Sequence, residues 1–414
     1  MNKLAFTTKA LHTKYPRRDP QGALRMPVYQ TVAYEYENAE GIEAAFMGTQ
    51  PGHVYSRSTN PTIEYLEQII QNLTGSLGVI ALSSGMAAIS NLILALVKSG
   101  DNIISTKHIF GNTYSLFEKT LRPFDIEFKF ADLTQTSKIS NLIDDKTRAI
   151  FFETVSNPML EIIDVKSLSK IASENNIVLI ADTSITPLYI FNSREYGVDI
   201  EIISSTKYIS GGATAVGGLI IDYGKFDWAK INKLHDDTVK YGEFALLNKL
   251  RKEVYRNLGA CISPGNAFLQ TLGLETLTLR ADKACNNAML IAEMLEKHPG
   301  VLTVNYPGLK SSKYHDIATI QFKNLYGTIL TFNLSSKKHC FQFLNKLKII
   351  RRATNLNDNK TLALHPASTI FAEFDAEKRE EMGINDNMIR LAIGIEDCED
   401  LKNDINKALD KISE

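Results

Sequence analysis

Short apolar runs alternate with stretches of helical period along most of this chain. Residues 62–73 carry apolar side chains at helical spacing and begin behind Pro61, a residue favoured in a first helical turn. A short apolar run follows at 79–82, then helical spacing over 86–98, a strand at 102–105 and a helix at 112–121. Further runs at 127–130, 149–153, 177–181, 199–203 and 218–221 read as buried strands, and 165–174 as a helix between two of them. Strands that are apolar throughout are covered on both faces, so the pattern predicts a mostly parallel α/β sheet.

The flanking regions have a different texture. Before residue 60, Pro16, Pro20, Pro27 and Pro51 with Gly22, Gly41, Gly48 and Gly52 interrupt any long element, and only 39–46 is predicted helical. Tyr29, Tyr34 and Tyr36 enrich this arm, which has no core of its own and is expected to pack on a neighbouring subunit. Residues 223–265 form a polar, lysine-rich excursion, and 266–297 has the period of one long helix. Strands at 328–333 and 388–393 and a helix at 338–347 predict a smaller α+β unit. The chain thus divides into an arm (1–60), an α/β domain (61–265) and a C-terminal α+β domain (266–414).

Composition narrows the function classes. At 414 residues the chain is long enough for two cores. Lys+Arg 46 against Asp+Glu 47 leaves a net charge of -1, which argues against nucleic acid or an anionic membrane as partner. No apolar run reaches the length of a membrane span, and the first residues lack the apolar core of a signal peptide, so a cytoplasmic protein is expected. Cys261, Cys285, Cys340 and Cys398 are scattered and the histidines show no H-x-x-x-H pair, so neither a metal nor a disulfide framework is expected.

The run at 199–203 stops abruptly at Ser204-Ser205-Thr206-Lys207, ahead of Gly211-Gly212. A lysine at a strand end among hydroxyls can form an imine with an aldehyde such as pyridoxal phosphate; taken alone, the motif reads as a solvated lysine after a strand. Ser83-Ser84-Gly85-Met86 joins a strand to a helix whose open N-terminus favours an anion, unless it is only a tight turn. Asp182 ends its strand at the carboxyl edge of the sheet, where ligands of such sheets gather. A carboxylate there can keep a pyridine nitrogen protonated, or serve merely as a helix cap. Asn157, in Ser-Asn-Pro, is a donor for a ring oxygen or a turn residue. Arg390 lies inside an apolar strand, where a buried guanidinium needs an anion: a substrate carboxylate or a structural one. Tyr55 and Arg57 sit in the arm, remote from any local core.

Together these stretches resemble the pyridoxal-phosphate enzymes of cysteine and methionine metabolism. YSRSTNPT at 55–62, SSGMAA at 83–88, SNP at 156–158, ADTSITP at 181–187, SSTKYISGG at 204–212, HPAS at 365–368 and RLAIGIED at 390–397 carry the likeness almost end to end. The resemblance implies the fold-type I transferase architecture, with Lys207 holding the cofactor and Asp182 pairing the pyridine nitrogen. It also implies that Gly85, Met86, Ser204 and Thr206 hold the phosphate, Phe110 stacks on the ring, Asn157 meets the ring oxygen, and Arg390 and Asn355 take the substrate. Tyr55 and Arg57 are implied to reach over from a partner subunit, in a tetramer built as a dimer of dimers, with Tyr55 among the catalytic groups.

Within the family, GGLIIDYGKFDW at 217–228 and the opening LHTKYPRRDPQGALRMPVYQTVAY resemble O-acetylhomoserine sulfhydrylases most. The implied reaction takes O-acetylhomoserine and sulfide to homocysteine and acetate; the sulfur donor is free sulfide, methanethiol or a protein thiocarboxylate. Cystathionine γ-synthase, methionine γ-lyase and a non-catalytic binding protein are the alternatives. The sequence departs from the family pattern at Phe110, where a tyrosine is usual, and at Asn112, where methionine γ-lyases tend to carry cysteine. It departs again at Phe371, commonly histidine, and at Asn357, where glycine is usual.

Overall fold

The computed structural model describes residues 4–15 and 19–412; Pro16 of the arm lies outside them. Seven strands form the larger sheet: β1 (Gly78–Leu82), β2 (Asn102–Ser105), β3 (Glu127–Phe130), β4 (Thr147–Glu153), β5 (Val178–Asp182), β6 (Ile200–Ile203) and β7 (Gly218–Asp222). Their order is β1-β7-β6-β5-β4-β2-β3, and only β7 runs antiparallel to its neighbours. The α/β sheet of fold-type I character is therefore as expected. Along β4, Ile150 and Phe152 face one core while Ala149 and Phe151 face the other, all fully buried. Each such phenylalanine contributes roughly 1.5–3 kcal/mol of burial free energy, and burial on both faces is why these strands read as unbroken apolar runs.

The smaller sheet has β8 (Thr303–Asn305), β9 (Ile329–Asn333), β10 (Arg351–Arg352), β11 (Leu362–Leu364) and β12 (Met388–Ala392), in the order β10-β11-β12-β9-β8. Its outer face packs on the helices Leu277–Glu296, Lys337–Lys346 and Cys398–Asp410 through Leu330, Phe332, Phe343, Ile389, Leu391 and Leu401. Among the described residues no helix is long and apolar enough to cross a membrane.

Several elements differ from expectation. The single helix over 266–297 is two helices, Pro264–Glu275 and Leu277–Glu296, broken at Thr276 (φ -111°, ψ 10°). The break is held by polar contacts: Arg280 donates to Thr276 Oγ1 (3.1 Å) and to the Gly273 carbonyl (2.6 Å), and Arg25 of the arm pairs with Glu275 (2.6 Å). The helix expected over 112–121 begins as α over Gly111–Ser115 and widens to π over Leu116–Leu121. The excursion after β7 is a chain of short helices between Trp228 and Leu258. In the arm, Ala39–Met47 is helical as expected, and a second helix, Phe6–His12, was not anticipated. That helix lies against its own chain, with Phe6 on the core and Thr7 Oγ1 3.0 Å from Thr278 Oγ1. Further along, Leu24, Val32, Phe46 and Met47 are exposed.

Candidate active site

A cavity of about 650 Å³ opens at the carboxyl ends of β4, β5 and β6, where the smaller sheet leans over the larger one. Gly85, Met86, Phe110, Asn157, Asp182, Ser204, Thr206, Lys207 and Arg390 all line it. Tyr55 and Arg57 do not: Tyr55 is exposed, Arg57 donates to the Arg256 carbonyl (2.6 Å), and its guanidinium lies 5.4 Å from the centre of the Tyr55 ring.

One wall is the start of the helix Gly85–Leu96. Ser84 caps it by accepting from the Ala87 amide (3.0 Å), which leaves the Gly85 and Met86 amides without a partner inside the helix. Gly85 is required sterically, because a Cβ there would lie 2.7 Å from the Ser204 Cβ. Close approach of the β6 loop to a helix N-terminus makes a cradle for an anion. The Thr206 hydroxyl is engaged by the turn to Gly217, donating to its carbonyl (3.1 Å) and accepting from its amide (3.0 Å).

Lys207 follows β6 and turns its amine into the cavity, where Nζ donates to Asn355 Oδ1 (2.8 Å). Burial first, and the nearby Arg390 cation second, pull its pKa down to about 8. Asn355, expected at the substrate, is thus found on the lysine. Asp182 ends β5, and its Oδ1 accepts from the Ser184 amide (2.9 Å). Burial raises its carboxyl above the usual range, against the pull of the Ser184 hydrogen bonds.

Arg390 is buried in β12 with 2% of its surface exposed. Nη1 donates to Asn157 Oδ1 (3.1 Å), and Nη2 to the carbonyls of Thr354 (3.3 Å) and Asn355 (3.1 Å). Its Nε is buried without a partner, and burial lowers its pKa to about 10. A desolvated cation with an unused donor and only neutral partners fits an incoming carboxylate.

Stacking and departure positions are equally concrete. Phe110 precedes the helix Gly111–Ser115 on the cavity wall, and Asn112 beside it lines the same wall. Phe371 is buried and packs behind that helix, its Cε1 3.8 Å from where a Gly111 Cβ would stand. Asn357 holds φ 54°, the left-handed backbone that a glycine would tolerate most easily. Its side chain adds contacts a glycine lacks: Nδ2 donates to the Ser184 carbonyl (3.1 Å), and Oδ1 accepts from Thr328 Oγ1 (2.6 Å). Two residues on, Asn359 Nδ2 donates to the Gly211 carbonyl (2.9 Å). Asparagines 355, 357 and 359 therefore fasten one stretch beside the smaller sheet to three points of the larger domain.

Sequence reasoning missed Glu153 and Ser184, which also line the cavity. Glu153 closes β4 at the same sheet edge as Asp182, a placement that marks it in retrospect.

The cavity has the parts that pyridoxal phosphate requires: an amine, an anion cradle, a carboxylate across from them and an aromatic face. A family model for Cys/Met metabolism PLP-dependent enzymes matches residues 7–410. An O-acetylhomoserine sulfhydrylase structure from Wolinella succinogenes is 47% identical, covering 86% of this chain and 99% of that one, with a TM-score of 0.78. A Campylobacter jejuni protein assigned as an O-acetylhomoserine (thiol)-lyase, solved with N'-pyridoxyl-lysine-5'-monophosphate, is 33% identical over 98% of this chain and 100% of that one, with a TM-score of 0.92. The L-methionine gamma-lyase of Pseudomonas putida is 32% identical over 99% of this chain and 98% of its own length. The chain belongs to the pyridoxal-phosphate-dependent enzymes of cysteine and methionine metabolism.

Proposed function

We propose that this enzyme carries out γ-replacement on O-acetylhomoserine, joining its four-carbon skeleton to sulfide or a thiol and releasing acetate. Pyridoxal phosphate, when bound, supplies an electron sink for negative charge at the amino acid's Cα. The chain's own residues divide the remaining work. The start of the helix Gly85–Leu96, with Met86, Ser204 and Thr206, would hold the phosphate end, and the Phe110 ring would cover the pyridine. Asp182 would keep the pyridine nitrogen protonated and Asn157 would donate to the ring oxygen. Arg390 binds the substrate carboxylate with the donor it has spare. Lys207, once free, would remove the Cα proton, hand it on and then take a Cβ proton, so that the γ acetate departs; the sulfur nucleophile then adds in its place and the protons return to Cα and Cβ. With a pKa of about 8 this amine is partly unprotonated near neutrality, which suits a base.

The observation that carries the choice of substrate is Phe110. The wall where a phenol would assist departure of a thiolate offers only a hydrocarbon ring, with the Asn112 amide beside it. Acetate is a weaker base than a thiolate and leaves with less help. A cystathionine γ-synthase is the runner-up on the same logic. The donor is sulfide, methanethiol or a protein thiocarboxylate. Placement of Tyr55 and Arg57 away from their own cavity supports sites completed by a partner subunit, in a tetramer of two such dimers. The unpaired cysteines fit a reducing cytoplasm, and the two sheets fit an α/β domain over 61–265 joined to an α+β domain over 266–414.

The test is a side-by-side assay of O-acetylhomoserine plus sulfide against methionine alone, at saturating cofactor. Homocysteine and acetate are expected from the first, with little 2-oxobutanoate, ammonia or methanethiol from the second. Methionine cleavage as fast as replacement refutes the reasoning from Phe110 and makes the protein a lyase.

A further inference from the structure

Glu153 is a buried carboxylate on the cavity wall, 7% exposed, to which the reaction above gives no role. It ends β4 in direct register with Asp182 at the end of β5, so two acids stand side by side. No cation pairs with Glu153 among the described residues. Burying such a group costs free energy unless its oxygens are well used.

They are used on main-chain amides. Oε1 accepts from the Phe110 amide (2.7 Å), and Oε2 from the Asn157 amide (3.3 Å). These two residues leave different strands, β2 and β4, on separate loops, and they are the groups assigned above to the cofactor's face and its ring oxygen. We propose that Glu153 is a positioning residue: its carboxyl group clips the loops of Phe110 and Asn157 together through their backbone amides and so sets the spacing of the cofactor slot.

Two further observations support the clip. The same loops are tied a second time, where His108 Nδ1 lies 2.6 Å from Glu161 Oε2. Burial and the adjacent Asp182 charge also push the Glu153 carboxyl well above its ordinary range.

The inference rests on the cofactor site and is independent of which substituent leaves the substrate, so its test begins with the apoprotein. Glu153→Gln has one carbonyl oxygen and one amino group, and can satisfy only one of the two amides. Glu153→Ala satisfies neither. Hydrogen exchange in peptides covering 109–114 and 155–160 is compared with that of the sheet as a whole. In Glu153→Gln, one of these peptides is expected to exchange at least tenfold faster while the strands keep their protection. The dissociation constant for pyridoxal phosphate should rise about tenfold, and the amino-acid KM should rise more than kcat falls, because Asn157 also holds Arg390. Glu153→Ala, if it folds, should loosen both peptides. Unchanged exchange in both peptides of Glu153→Gln, or acceleration spread evenly over the whole sheet, overturns the proposal. Altered substrate preference with the clip intact would instead count against the γ-replacement reading alone.

Discussion

Replacing Arg390 with alanine tests the substrate end of the site and the lysine together. The guanidinium is buried, its neutral partners are Asn157 Oδ1 and two carbonyls, and its Nε is unused. A substrate carboxylate meeting it forms a desolvated charge pair, whose loss costs about 2–5 kcal/mol. Converted at 1.4 kcal/mol per decade, that is a rise in KM of roughly 30-fold to several thousand-fold. Arg390→Lys should recover only part of this, since one ammonium cannot replace the planar fork. A second effect has a definite sign. The Arg390 charge is the second cause, after burial, that holds Lys207 down near 8. Without it the protonated lysine is less disfavoured and its pKa rises, so the pH at which apoprotein takes up pyridoxal phosphate half-maximally fast should move alkaline. Steady-state kinetics and the reconstitution profile measure the two. If KM changes by less than about threefold, or cofactor content falls while KM holds, Arg390 is structural and the carboxylate assignment fails.

Asp182→Asn should still bind cofactor but lose most turnover, because a neutral amide cannot keep the pyridine nitrogen protonated; turnover within about threefold of the parent, under roughly 1 kcal/mol of barrier, would remove that role. Asp222 tests burial chemistry away from the site: burial, mainly, raises its carboxyl to about 7, and Oδ2 has no partner. The folded state therefore holds a proton that the unfolded chain gives up near 3.8, so stability falls as pH climbs between those values and the full cost is present above 7. Asp222→Asn should accordingly raise the Tm by several degrees at pH 8 and by only about half as much at pH 5.5; an equal gain at both would show that ionisation is not the cause. Mixing inactive Arg57→Ala chains with inactive Lys207→Ala chains should restore part of the activity if sites are shared between subunits. No recovery, with hybrids shown to form, would place Arg57 outside catalysis.

Much of the site was legible because its side chains stand where strands end or where a charge interrupts an apolar run. Asp182, Lys207 and Arg390 all announce themselves in that way. Glu153 did not, although it also ends a strand, because its partners are main-chain amides, and an amide leaves no mark in a sequence. The break at Thr276 was equally silent: apolar spacing continues through it, and the arginine that holds the break open, Arg280, is four residues further on. β8, β10 and β11 are only two or three residues long, too short to show a period. Asn355 and Asn357 could be numbered from the sequence, but what they touch depends on how the two sheets meet.

The three asparagines of the stretch 355–359 turn that meeting into a mechanical linkage. Arg390 leans on the carbonyls of Thr354 and Asn355, while the Asn355 side chain holds the Lys207 amine and its successors hold the Ser184 and Gly211 carbonyls. A shift of Arg390 would therefore pull on the same strap that touches Lys207. The two residues that the proposed reaction puts at opposite ends of the amino acid are, in this protein, two ends of one linkage.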